Sequence, residues 1–216
     1  MKISQPKQAR SGTTLGRLVK SAEHLLEGRP LSELTISEIV RGADSSIGSF
    51  YGRFPDKQAL LEYIDETYAH RIVDGWIEFL RPDRWAGKTL ESMVLGIVTR
   101  IVFGQREKSG VARALYLYVR TDAPPSTIIR ARAINQSVER LMVDLLLTRR
   151  RELRPRNPEA AIRTALLFTV AAIREAVLFG NLKLHEHLSP DQRLIRELTG
   201  AFCACVQAPS RRTSVR

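Results

Sequence analysis

Residues 35–61, TISEIVRGADSSIGSFYGRFPDKQALL, confine the fold more tightly than any other stretch of the chain. Ile36, Ile39, Val40 and Ala43 recur at helical spacing and make one apolar stripe. Ile47, Phe50 and Phe54 follow after a polar break and can close over that stripe. Thr35-Ile36-Ser37-Glu38 has the T-x-x-E form of a capping box, so the first helix starts at Thr35. Ser46 is placed to cap a second, short helix from about Ser46 to Gly52. Asp44-Ser45 forms the tight turn between them, and Asp tolerates the left-handed conformation better than most residues. Pro55-Asp56 opens a third, long helix with Leu60, Leu61, Ile64, Ile72, Trp76, Phe79 and Leu80, broken by Pro82.

The remainder also reads as helices. Leu15, Leu18, Val19, Ala22, Leu25 and Leu26 form an apolar face closed by Gly28 and Pro30. Further helices are expected from about Thr89 to Arg106, Val111 to Arg120, Ser126 to Leu153, Pro158 to Phe179, and from Ser189-Pro190-Asp191-Gln192 to about Val206. The last opens on a second capping-box pattern with Pro at the first helical position. No period-2 strand pattern and no repeat of 20–50 residues is visible. The expected fold class is all-α with about nine helices. Its organisation is a flexible basic arm at 1–13, a three-helix module at 14–62, a helical body at 63–208 and a disordered basic tail at 209–216.

Composition narrows the function. The 216 residues are 44% hydrophobic, enough for a core, and the formal net charge of +11 points to a polyanionic partner. Residues 1–60 hold 9 Lys/Arg against 6 Asp/Glu, a net of +3, so most of the excess lies downstream. It gathers in Arg149, Arg150, Arg151, Arg154 and Arg156 and in Arg211, Arg212 and Arg216. No apolar run reaches the length of a membrane span, and MKISQPKQARSGTT has no apolar signal-peptide core. Cys203 and Cys205, two apart, are too close to staple a fold and fit a reducing cytoplasm. On a helix they point to different sides, against joint metal chelation. His24, His70, His185 and His187 are scattered, and His185-Glu186-His187 falls in an expected loop. With no Gly-rich phosphate loop and no nucleophile elbow, an enzyme is disfavoured, and neither cofactor nor metal is expected. The competing reading is a basic helical protein that binds DNA or anionic membrane without sequence preference.

A short helix held on the 35–43 platform can project its N-terminal residues into the DNA major groove. Gly48 allows close backbone approach. Tyr51, Arg53 and Lys57 supply hydroxyl and cationic contacts to phosphate, and Lys57 sits at a helix N-terminus, where the dipole favours an anion. Ile47 either meets a thymine methyl or belongs to the core. The candidate DNA contacts are Thr35, Ser46, Ile47, Gly48, Ser49, Tyr51, Arg53 and Lys57.

Gly48-Ser49-Phe50-Tyr51, then Phe54, Asp56-Lys57 and Ala59-Leu60-Leu61, together resemble the tetracycline-repressor (TetR) family of regulators. The likeness runs from Leu15 to about Leu61. It departs at the turn, where Asp44-Ser45 stands in place of the family's usual Gly-Val. The resemblance implies a homodimeric repressor on a palindromic operator in double-stranded DNA. It also implies a C-terminal body that dimerises through its last two long helices and encloses a small-molecule effector. Independently, Thr164–Ile173 is ten residues without a charge, and a helix apolar all round must be covered on every side, either by its own bundle or by a partner. The expected interface comprises Leu167, Ala171, Leu194, Leu198 and Phe202. For the effector pocket, Trp76, Phe103, Tyr116, Asn135 and Phe168 are the candidates, with Trp85, Tyr118, Gln136 and Phe179 beside them. Aromatic residues at helical spacing are more often plain core.

Overall fold

The computed structural model describes residues 7–180 and 190–209, with side chains from residue 13 onward. Among them are nine α-helices, three short 3-10 turns and no strand. The helices are α1 (Lys7–Gly28), α2 (Ile36–Gly42), α3 (Ile47–Tyr51), α4 (Lys57–Phe79), α5 (Leu90–Glu107), α6 (Ser109–Thr121), α7 (Pro125–Leu147), α8 (Pro158–Leu178) and α9 (Asp191–Gln207). Helix α1 starts at Lys7, inside the stretch expected to be a flexible arm. Residues 7–10, Lys-Gln-Ala-Arg, are all good helix formers, so local propensity carries the helix back beyond its buried face. The His185–His187 pair and the tail beyond Pro209 lie outside the described residues.

Two compact units divide the chain. The first takes residues 1–70 together with 108–128, so the module built on the short helices is discontinuous in sequence. Its core joins Leu18, Ala22 and Leu26 of α1 to Ile39 and Val40 of α2, Phe50 of α3, and Leu60, Leu61 and Ile64 of α4. Val111, Leu115 and Tyr118 of α6 belong to the same core. Gly110 makes this possible: a Cβ there would lie 2.2 Å from the Leu26 carbonyl oxygen and 2.4 Å from Glu27 Cα. Glu27 in turn caps α6, its Oε2 accepting from the Gly110 N–H at 2.8 Å. Tyr118 donates its hydroxyl to Glu62 (2.6 Å), and burial, then the Glu62 carboxylate, pushes the phenol above its ordinary range.

The second unit comprises residues 71–107 and 129–216. Helices α5, α8 and α9 pack on one another. Met93, Val94, Ile97 and Val98 of α5 meet Ile162, Leu166 and Ile173 of α8 and Leu194, Phe202 and Val206 of α9 in a buried apolar layer. Asn157 caps α8 through the Ala160 N–H, with Pro158 at the first helical position. At α9 the N-cap position is Pro190, and Ser189, on which the second capping-box pattern depends, lies outside the described residues. Arg106 and Asp191 pair at 2.6 Å over the α9 N-terminus. No helix among the described residues is long and apolar enough to cross a membrane.

Candidate nucleic-acid interface

Each end of the α2–α3 hairpin is made by the residues the sequence marks. The Thr35 hydroxyl accepts from the Glu38 N–H at 3.2 Å and donates to Glu38 Oε2 at 2.8 Å, while that carboxylate accepts the Thr35 N–H at 2.9 Å. Both halves of the capping box are therefore present. Arg29 adds an ion pair at 3.0 Å. The Glu38 carboxyl is consequently held at about 2, first by the Thr35 N–H, then by the Thr35 hydroxyl and Arg29. At the turn Asp44 takes φ 46°, the left-handed conformation. Its exposed carboxylate lies 3.5 Å from Arg17 Nη1 of α1.

Ser46 starts α3, its Oγ accepting from the Ser49 N–H at 3.1 Å, and the two serine hydroxyls also meet at 3.1 Å. Phe50 is fully buried, with Tyr51 edge-on at 5.6 Å and Phe54 at 5.7 Å. That anchor turns the other side of α3 outward. Ile47 is 49% exposed and Tyr51 55%, one turn apart, with Gly48 open beside them. Ile47 is thus a surface residue and not part of the core. A Cβ on Gly48 would find nothing nearer than Ser46 Oγ at 3.9 Å, so the fold itself leaves that space free. Arg53 is half-buried and donates from Nη1 to the Ser49 carbonyl at 2.7 Å.

Lys57 differs from its expected role as an open phosphate contact. Its ammonium donates to the carbonyls of Leu31 (3.2 Å) and Leu34 (2.5 Å) and ties the start of α4 to the chain entering α2. Asp56 caps α4 through the Ala59 N–H at 2.8 Å. The sequence reading passed over a third source of cations. An open cleft of about 310 Å³ on α1 is lined by Arg17, Lys20, Ser21, His24, Leu25 and Gly42, next to the turn. The spacing of Arg17, Lys20 and His24 along one helical face was the signal available for it.

The other expected sites separate. Leu167 is 66% exposed and Ala171 is exposed on α8, so both are available to a partner, and Leu198 is half-buried. Leu194 and Phe202 are each only 2% exposed: they face α5 and α8 of their own unit, which corrects their assignment to an interface. Of the five candidate pocket residues, four lie in the second unit and Tyr116 in the first. Trp76 is buried edge-on against Phe79 at 5.7 Å. Phe103, Asn135 and Phe168 are exposed, because α5, α7 and α8 turn those positions away from the buried layer. Tyr116 belongs to the first unit, under the Arg120 guanidinium at 3.8 Å. A second open cleft, of about 430 Å³, is lined by Thr148, Arg149, Arg150, Arg151 and Glu152 and by none of the five. Cys203 is buried and Cys205 exposed, on different sides of α9 as the spacing requires.

This arrangement defines a helix-turn-helix protein of all-helical construction. Residues 18–64 match the family described as bacterial regulatory proteins, tetR family. A 44-residue stretch is 41% identical to the HTH-type transcriptional regulator EthR of Mycobacterium tuberculosis, and equally to EthR of Mycobacterium bovis. That stretch spans 20% of this chain and 20% of those relatives. The fold likeness extends further. A tetR-family regulatory protein from Rhodococcus superposes with a TM-score of 0.70 at 17% identity, over 91% of this chain and 98% of that one. FadR of Bacillus subtilis, solved in complex with stearoyl-CoA, superposes with a TM-score of 0.63 at 12% identity, over 88% and 97% of the two chains. The family match is confined to that N-terminal segment, and over the rest of the chain the likeness is one of fold.

Proposed function

We propose that the chain is a sequence-specific transcriptional regulator, acting as a homodimeric repressor on a palindromic operator. The observation that carries this reading is the outward face of α3, with Ile47, Gly48 and Tyr51 exposed on a helix whose opposite side is anchored by the fully buried Phe50. A short helix so presented inserts its N-terminal residues into the major groove. Ile47 then reads an apolar base edge such as the thymine methyl. Ser46 and Ser49 lie at the helix start, Tyr51 and Arg53 face the phosphates, and Arg17, Lys20 and His24 extend the cationic surface along α1. Thr35 serves mainly by building the α2 start, and Lys57 by holding it.

A second copy completes the reading. Leu167 and Phe168 expose most of their apolar side chains on α8, in the charge-free run, and pairing that face with its twin would bury both. Response to a small molecule belongs to the same proposal, supported by the stearoyl-CoA complex of the Bacillus fold neighbour. It draws nothing from Trp76, Phe103, Tyr116, Asn135 or Phe168.

The test is a mobility-shift series, at several salt concentrations, on a site selected from random DNA. Tyr51→Phe and Gly48→Val are expected to weaken binding to every sequence, and Ile47→Ala to alter which site is preferred. Arg53→Gln should also lower the salt slope by about one unit. Should folded Tyr51→Phe and Arg53→Gln both bind as the parent does, with the same salt slope, the α3 face is not the DNA site.

A further inference from the structure

The chain's two tryptophans, Trp76 and Trp85, flank Phe79 in the second unit, edge to face, with centroids 5.7 and 5.3 Å from it. The cluster is rigidly held. Trp85 donates its indole N–H to the Phe79 carbonyl at 2.8 Å and lies across Gly96, where a Cβ would come within 2.3 Å of the ring. Two guanidinium groups stack on these rings. Arg84 sits 4.9 Å from the Phe79 centroid, and Arg100 sits 4.8 Å from the same centroid and 5.0 Å from Trp76. Arg100 reaches this position through the space left by Gly75, where a Cβ would lie 2.6 Å from its Nη2.

Stacking on an aromatic face leaves the N–H edge of a guanidinium free, five donors to each group. Among the described residues neither arginine spends these donors on a hydrogen bond or an ion pair within the protein. The acidic side chains beside Phe79 in sequence, Glu78 and Asp83, are held by Arg81, at 3.5 and 3.2 Å. Two positive charges thus share one ring without a counter-charge. Burial and the charge of Arg84 together hold Arg100 below its usual range. Ordinary surface arginines reach into water or toward a carboxylate. This pair is instead pressed onto a fixed apolar floor, Arg84 exposed and Arg100 half-buried with Nη2 against Gly75, and guanidinium donors left unspent in this way can take a planar or tetrahedral oxyanion.

We propose that Arg84 and Arg100, seated on Trp76 and Phe79, form a binding site for an organic anion that presents phosphate or carboxylate oxygens. The site is separate from the α3 face, and its test uses no DNA.

Because both tryptophans lie in this cluster, intrinsic fluorescence reports on the site directly. The full-length protein is titrated with inorganic pyrophosphate and, separately, with succinate, at constant ionic strength. Isothermal calorimetry is run in parallel. A saturable response to at least one anion is expected, and the anion that responds distinguishes a phosphate from a carboxylate ligand. Arg84→Gln and Arg100→Gln are each expected to weaken binding by about tenfold or more. Gly75→Ala, which keeps both charges but displaces Arg100, should weaken it as well. Absence of a saturable response by both methods overturns the proposal. So does an unchanged response in the folded Arg84→Gln, Arg100→Gln double variant, which would reduce the effect to general ion screening.

Discussion

Glu38 shows how one side chain holds an element that the proposed function depends on. Its pKa falls from an ordinary 4.5 to about 2 on folding. A carboxylate depressed in this way stabilises the fold in full above about pH 4.5, and its support fades as the pH drops toward 2. Glu38→Gln is therefore expected to lower the urea midpoint at neutral pH, with the gap to the parent narrowing below pH 4.5. A gap of equal size at pH 3 and pH 7 would show that the charge is not what matters. Thr35→Ala removes the other half of the box and should cost about 1 kcal/mol at neutral pH. Cys203 makes the opposite case. Burial first, then Glu91 and Glu152, push its thiol up to about 11, so almost none is thiolate at neutral pH. Alkylation of the native protein at pH 8, mapped by mass spectrometry, is expected to spare Cys203, and both thiols should react in denaturant. These caps and the thiol spacing were legible because their partners lie within a few residues. The role of Lys57 was not. Its carbonyl partners, at Leu31 and Leu34, are more than twenty residues away, and nothing in the local pattern distinguishes a lysine turned inward from one turned to phosphate.

Among the elements, α3 and α8 expose the residues on which the proposed function rests, and each was legible to a different degree. The apolar stripe of α2, the Asp44 turn and the Ser46 cap together specified the hairpin, since all three act within one or two turns of backbone. Helix α8 was harder. Its charge-free run announced burial on more than one side without saying which residues met which neighbour. The structure turns Leu167 and Ala171 outward and Ile162, Leu166 and Ile173 inward. For α9 the same ambiguity sent Leu194 and Phe202 to the wrong side. Leu167→Arg or Ala171→Glu should place unpaired charges in a two-fold interface, and light scattering is expected to show dimers for the parent and monomers for the variants. A parent that is monomeric at micromolar concentration would remove the dimer from the proposed function. Leu194→Ala should instead leave the assembly intact and lower stability by about 2–5 kcal/mol, as an emptied core position does.

At the scale of the whole molecule, the number of helices and their order were legible, while the partition into units was not. Periodicity finds where a helix lies and which face is apolar, but α6 pairs with α1 across more than eighty residues. The cause is the bare backbone of Gly110 against Leu26 and Glu27. A fragment of residues 1–82 would contain every residue of the helix-turn-helix yet lack the Val111, Leu115 and Tyr118 that complete its core. Circular dichroism and amide exchange are expected to find helix in that fragment without cooperative unfolding. A sharp two-state transition equal to that of the full chain would show that α6 is dispensable.

The same interleaving sets an order of events at the ribosome. The helix-turn-helix core comes early in the message, but the strip of chain that closes it, residues 108–128, is translated only after the first piece of the other unit has been made. At roughly 5–20 residues per second, the nascent N-terminal helices wait several seconds with their apolar sides uncovered. A synonymous change that slows translation between codons 71 and 107 would prolong that exposure without altering a single amino acid.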